Sequence, residues 1–262
     1  MVAAPVAFDV DPARSEPWRS SGRTNIQVAD QVPNGHPLIV RGPALIEGAN
    51  PKQIALLRTY AVREFGANFQ VGTGPGGIAF DGENMWIANY TDGTLSVLNA
   101  ATGKVIDTYS VTGDPDGIAY DGEQMWVTNR SLTTVTVFRA SDAVLQMTPT
   151  VGADGVAIAF DGAKMWVTNT NADTVTVVRA GDGIHVKTLT VTDGVRDKPS
   201  SLAFDGVNMW VGNEDQDSVS VFRASDLSLV KSVGVGDRPL GMAFDGANMW
   251  ITLNNVGYVA KR

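Results

Sequence analysis

Cysteine is absent from this 262-residue chain. That excludes disulfides, a thiolate nucleophile and any cysteine-ligated metal, while leaving the redox compartment open. Histidine is nearly absent as well, limited to His36 and His185. No apolar run reaches the ~18 residues that a membrane span requires. Basic runs are also missing: 20 Lys plus Arg stand against 28 Asp plus Glu, for a net charge of -8. An acidic chain of this kind has little attraction for nucleic acid or an anionic membrane, because both present phosphate. Neither a P-loop nor a dinucleotide glycine fingerprint occurs. The opening segment MVAAPVAFDV lacks a basic start and meets Asp9 too early for a signal peptide. The expectation is a cytoplasmic protein, or an extracellular or periplasmic one whose leader was removed.

What is present is a folded, soluble composition, 44% hydrophobic and 18% charged, and above all a repeat. An aromatic-Asp-Gly tripeptide occurs at Phe80-Asp81-Gly82, Tyr120-Asp121-Gly122, Phe160-Asp161-Gly162, Phe204-Asp205-Gly206 and Phe244-Asp245-Gly246. Each is followed by Met-Trp at a fixed distance, placing Trp86, Trp126, Trp166, Trp210 and Trp250 in one equivalent position. Short β-branched and aromatic runs, punctuated by Gly, Asp and Asn, divide each unit into four strands, here A to D. Asp-Gly suits the A–B turn, where Asp accepts bonds from turn amides and Gly tolerates positive φ. Gly76-Gly77, Gly117, Ser200-Ser201 and Gly241 supply small residues where the innermost strands crowd around an axis.

A four-stranded sheet with two apolar faces cannot stand alone in water. A tryptophan at one fixed place per sheet would fill the wedge between neighbours, and radial stacking would bury both faces. The expected fold is therefore all-β: a β-propeller of about 40-residue, four-stranded blades over residues 67–262. The repeat arithmetic favours five blades, with Phe69-Gln70-Val71-Gly72 supplying the missing outer strand of the last. A sixth, diverged blade over residues 1–50 is the alternative, because Val6-Ala7-Phe8-Asp9 echoes the strand A motif; otherwise residues 1–50 are an irregular extension. Residues 51–66 read as a helix, with Asn50 as cap, Pro51 at its first position, Gln53 completing a capping box and Gly66 closing it.

The fragments MWIAN (Met85 to Asn89), MWVTN (Met125 to Asn129 and Met165 to Asn169) and MWVGN (Met209 to Asn213) resemble the YVTN-type β-propeller repeat. The last unit departs from it, with Leu253 in the Asn position. The resemblance implies the propeller fold and relatives among surface-layer proteins and the streptogramin lyases. The lyase relatives work with histidines, a glutamate and bound magnesium on one face. His36 precedes the repeats and His185 lies in the outer half of the third unit, so the lyase site has no counterpart here.

Asn89, Asn129, Asn169 and Asn213 end strand B, and each is expected to tie down its own B–C turn rather than form a ligand ring. The repeat is broken where four extra residues enter VTDGVRDKPSS, beside an acidic B–C loop in the fourth unit. Enlarged, charged, asymmetric loops are where binding residues gather. The candidate binding residues are Asp193, Arg196, Asp197, Glu214, Asp215, Asp217 and Arg238; the plain alternative is a solvated acidic rim. Oxygen donors at Asp114 to Gly117 and Glu214 to Asp217 fall short of a complete calcium loop. No cofactor is assigned, with calcium or magnesium the open alternative. The function expected is a non-catalytic binding or scaffold propeller for a protein, peptide or carbohydrate. Carboxylate or divalent-metal lyase or hydrolase chemistry, and a structural surface-layer role, are the competing readings.

Overall fold

The structure, a computed structural model, describes residues 68–191 and 197–262. The helix expected over residues 51–66 and the extension over 1–50 lie outside the described residues. What is described is all-β, apart from one 3-10 turn at Thr170–Ala172.

Five antiparallel sheets follow one another along the chain, each a blade whose strands pair in sequence order. Blade one contains β1 (Pro75–Phe80), β2 (Asn84–Asn89), β3 (Thr94–Asn99) and β4 (Val105–Ser110). Blade two contains β5 (Pro115–Tyr120), β6 (Gln124–Asn129), β7 (Val135–Arg139) and β8 (Leu145–Met147). Blade three contains β9 (Gly155–Phe160), β10 (Lys164–Asn169), β11 (Thr174–Arg179) and β12 (His185–Thr190). Blade four contains β13 (Pro199–Phe204), β14 (Asn208–Asn213), β15 (Ser218–Arg223) and β16 (Leu229–Gly234). Blade five has three strands, β17 (Pro239–Phe244), β18 (Met249–Leu253) and β19 (Tyr258–Lys261).

Strand A is the inner strand of every blade, and successive inner strands pack together: β1 on β5, β5 on β9, β9 on β13, β13 on β17. The small residues sit within strand A and permit this approach. A Cβ added to Gly77 would overlap the carbonyl oxygen of Asp116, and one added to Gly117 would overlap that of Val156. The core lies between blades. Trp86 shares an apolar cluster with Met125, Val127 and Phe138 of the next blade. Trp126 does the same with Met165 and Val167, Trp166 with Met209 and Phe222, and Trp210 with Met249 and Ile251. Four indoles are therefore at most 8% exposed, but Trp250 of blade five is 40% exposed.

One expectation is corrected here. Residues 68–72 form no ladder with β19. Phe69 instead lies where a Cβ on Gly103 of blade one would be, much as Pro149 lies over Gly183 of blade three. Among the described residues blade five has no outer strand, and no packing of comparable extent joins β17 to β1.

Candidate functional site

In antiparallel blades the B–C turns and D–A loops emerge at one end of the sheets, and the A–B and C–D turns at the other. One backbone bond recurs at the first end of every blade. The residue after strand B donates its amide to the D–A residue ahead of strand A: Tyr90 to Gly74 (2.8 Å), Arg130 to Asp114 (2.9 Å), Thr170 to Asp154 (2.9 Å), Glu214 to Lys198 (3.1 Å) and Asn254 to Arg238 (3.1 Å). On the accepting side Gly74, Asp154, Lys198 and Arg238 adopt positive φ, between 45° and 68°. Three of these are not glycine, so the loop geometry is imposed by the surrounding bonds. The frame is constant, while the side chain standing on it is Tyr, Arg, Thr, Glu or Asn.

Charged groups on this face pair both across blades and within them. Arg130 sends Nε to Asp154 Oδ1 of blade three at 2.9 Å, approaches Asp116 Oδ2 at 3.7 Å, and lies 5.8 Å above the ring of Tyr90 in blade one. Burial raises the carboxyl of Asp116 above its ordinary value; Arg130 opposes that shift and Asp154 adds to it. Glu214 pairs with Arg238 between blades four and five, the same two positions with the charges exchanged. Lys198 pairs with Asp215 at 2.8 Å.

Of the residues expected to bind, Asp193 and Arg196 lie outside the described residues. Glu214, Asp217 and Arg238 meet at the junction of blades four and five, where Asp217 Oδ1 accepts the amide of Arg238 at 2.9 Å. Asp217 therefore holds the loop. Asp215 stands with Lys198. Asp197 is 1% exposed rather than on the rim, and its amide donates to Asp173 Oδ1 at 3.0 Å. Of the group around Arg130, only Asp116 was touched from sequence, among the oxygen donors of Asp114 to Gly117; Tyr90, Arg130 and Asp154 were not singled out. The group's signal was available: the position after strand B changes from Tyr to Arg, Thr, Glu and Asn around the blades, so charge varies there on a repeated frame.

The strand B asparagines are wholly buried. They bond chiefly to strand C hydroxyls rather than to the turn backbone. Asn89 donates to Thr94 and Ser96, Asn169 to Thr174 and Thr176, and Asn213 to Ser218 and Ser220, all at 2.8–3.1 Å. Asn129 bonds to Thr136 Oγ1 and the carbonyl of Thr134. His185 lies on β12, hydrogen-bonded to Thr188 Oγ1 at 2.9 Å. Among the described residues no three histidine or carboxylate side chains gather as a metal ion would need. At the opposite end a shallow cleft of about 320 Å³ between blades three and four is lined by Lys164, Phe204, Val207 and Ser225.

No protein-family model and no curated protein matches this chain. Solved structures do. Kuenenia stuttgartiensis hydrazine synthase aligns over 72% of this chain and 59% of its own, at 20% identity and a TM-score of 0.61. A catalytically inactive virginiamycin B lyase from Staphylococcus aureus, crystallised with quinupristin, aligns over 71% and 65% at 14% identity and 0.59. The Cps50 (Swd1) β-propeller domain of Myceliophteria thermophila aligns over 71% and 64% at 10% identity and 0.60. At these identities the likeness establishes the β-propeller fold. The chain covers about three fifths to two thirds of the length of these proteins. They include both a lyase and a β-propeller domain of another protein.

Proposed function

We propose that this chain is a non-catalytic binding propeller that recognises a protein, peptide or carbohydrate with the B–C/D–A end of its blades. The observation that carries this reading is the constant frame after strand B, which presents Tyr90, Arg130, Thr170, Glu214 and Asn254 at equivalent places. Chemical variety on a fixed scaffold is how loops acquire specificity. The cross-blade pairs Arg130–Asp154 and Glu214–Arg238 support it too, because they hold the long side chains in place before a partner arrives. Tyr90, 40% exposed beneath Arg130, offers the flat apolar surface on which a sugar ring or a peptide side chain can rest.

One observation favours carboxylate chemistry as a second reading. Asp116 is a half-buried acid with a raised pKa beside Asp154, and perturbed carboxyls gather at catalytic sites. Peptide and glycan arrays probed with the full chain, followed by Tyr90→Ala and Arg130→Ala, separate the two. The binding reading expects a retained ligand whose affinity falls in both variants while melting temperature holds. Turnover of a captured ligand that stops in Asp116→Asn would replace it with the catalytic one.

A further inference from the structure

Blade five differs from the others at its outer edge. Strand C is buried in the complete blades, with Leu95, Val135, Val175 and Val219 all at 0% exposure. The equivalent Val259 is 56% exposed, Tyr258 71%, and the neighbouring Trp250 40%. The other four blades cover this strand with a strand D, whereas β19 has no outer partner among the described residues. Its backbone is set to take one. Met249 and Arg262 exchange both backbone bonds at 2.9 Å, so the alternate amides of Val259 and Lys261 point away from β18. In blade two the amide of Val135, equivalent to Val259, donates outward to the carbonyl of Pro149 at 3.0 Å.

We propose that this edge accepts an extended peptide strand, antiparallel to β19, with an aromatic side chain opposite Val259 and an acidic one opposite Lys261. The complete blades supply the register. Tyr109 faces Leu95, Leu189 faces Val175 and Val233 faces Val219. Two residues earlier in strand D, Asp107 faces Val97, Lys187 faces Val177 and Lys231 faces Val221. Blade five places a lysine in that strand C position, so an incoming lysine would meet a like charge and an incoming aspartate an opposite one. An aromatic opposite Val259 would stack on Trp250 as Tyr109 stacks on Trp86, with ring centres 6.2 Å apart and planes 16° from parallel. The recognised element is Asp-Xaa-Tyr in an extended segment.

A peptide with the sequence of blade one's own strand, Lys104 to Val111, tests this by titration into the full chain, read by tryptophan fluorescence and calorimetry. Saturable binding at one site per chain is expected. Tyr109→Ala in the peptide weakens it about tenfold or more. Val259→Pro in the protein abolishes it, because proline lacks the outward amide yet is tolerated in an edge strand. Lys261→Glu weakens binding about two- to five-fold, and the Asp107→Lys peptide restores it. Three results overturn the proposal: no saturable binding, equal binding to the Val259→Pro variant, or sedimentation showing the edge already paired in a dimer of this chain. The loop-face reading does not depend on this edge, and neither result decides the other.

Discussion

The indole N–H of Trp166 donates to Asp161 Oδ2 at 2.8 Å, five residues back across the A–B turn. The same bond joins Trp86 to Asp81, Trp126 to Asp121, Trp210 to Asp205 and Trp250 to Asp245. In each blade the other carboxylate oxygen accepts two turn amides; for Asp161 these are Ala163 and Lys164. One carboxylate thus shapes the hairpin and satisfies the only polar atom of the side chain that fills the wedge between blades. Asp161→Asn keeps one acceptor but turns an N–H donor toward the indole. It should cost about 1–3 kcal/mol in urea unfolding, the cost of an orphaned buried donor. A change within a few tenths would show that the bond is incidental.

This bond also gives the fold an acid limit. Burial by itself raises the Asp205 carboxyl, but the Trp210 indole and the amides of Asn208 and Val207 outweigh it and leave the pKa lowered. Asp245 is held well below the usual carboxylate range by the Trp250 indole and the amides of Asn248 and Ala247. A carboxyl with a depressed folded pKa contributes stability above its unfolded value, near 3.9, and loses it as pH falls through the folded value. Melting temperature should therefore drop as pH is taken below about 4. Asp205→Asn, less stable at neutral pH, should show a shallower drop. An equally steep profile in that variant would remove Asp205 from the account.

Trp166→Ala and Trp250→Ala separate the two environments of the repeated indole. Trp166 is wholly buried against Met209 and Phe222 of the next blade, and its loss should cost about 3–5 kcal/mol. Trp250 is 40% exposed, and its loss should cost clearly less. Chemical denaturation of the two variants side by side gives the comparison. Equal losses would mean that blade five is covered after all.

The propeller was legible because its cause is repeated. Asp-Gly, Met-Trp and Asn each recur at fixed spacing, and each performs the same bond or burial in blade after blade. What was not legible depends on neighbours in space. The Asp–Trp bond links two residues that the spacing displays but does not connect. Arg130 reaches Asp154 twenty-four residues ahead, because adjacent blades bring strand B of one beside the D–A loop of the next. Asp217 and Asp197 looked like rim charges; one proves to hold loop amides and the other is buried, since loop acids are as ready to cap backbone as to meet solvent.

Inner-strand glycines carry a steric prediction that needs no positive φ. A Cβ on Gly117 would overlap the Val156 carbonyl oxygen, which is backbone and cannot rotate aside. Gly117→Ala should force blades two and three apart and cost more than about 2 kcal/mol. At Gly155 an added Cβ meets Thr128 and Val167 at 3.5 and 3.6 Å, ordinary contact distances. Gly155→Ala should be neutral or slightly stabilising, because it restricts the unfolded chain. Thermal unfolding of the pair checks the contrast, and a tolerated Gly117→Ala would mean that the inner strands have room to spread.

Blade five shows why asparagine ends strand B elsewhere. Asn169 bonds to Thr174 and Thr176 on strand C. In blade five those strand C positions hold Tyr258 and Ala260, and the asparagine is replaced by Leu253, which joins the apolar cluster around Trp210. Donor and acceptors have disappeared together, as a buried polar group with no partner requires. Leu253→Asn alone should therefore cost about 1–3 kcal/mol, the amide being buried with neither hydroxyl in reach. Adding Tyr258→Thr and Ala260→Ser should recover much of that loss, whereas the same two changes beside Leu253 should recover none. A double-mutant cycle in urea measures the coupling. If the hydroxyls rescue Asn and Leu alike, the asparagine acts through the turn backbone and not through strand C.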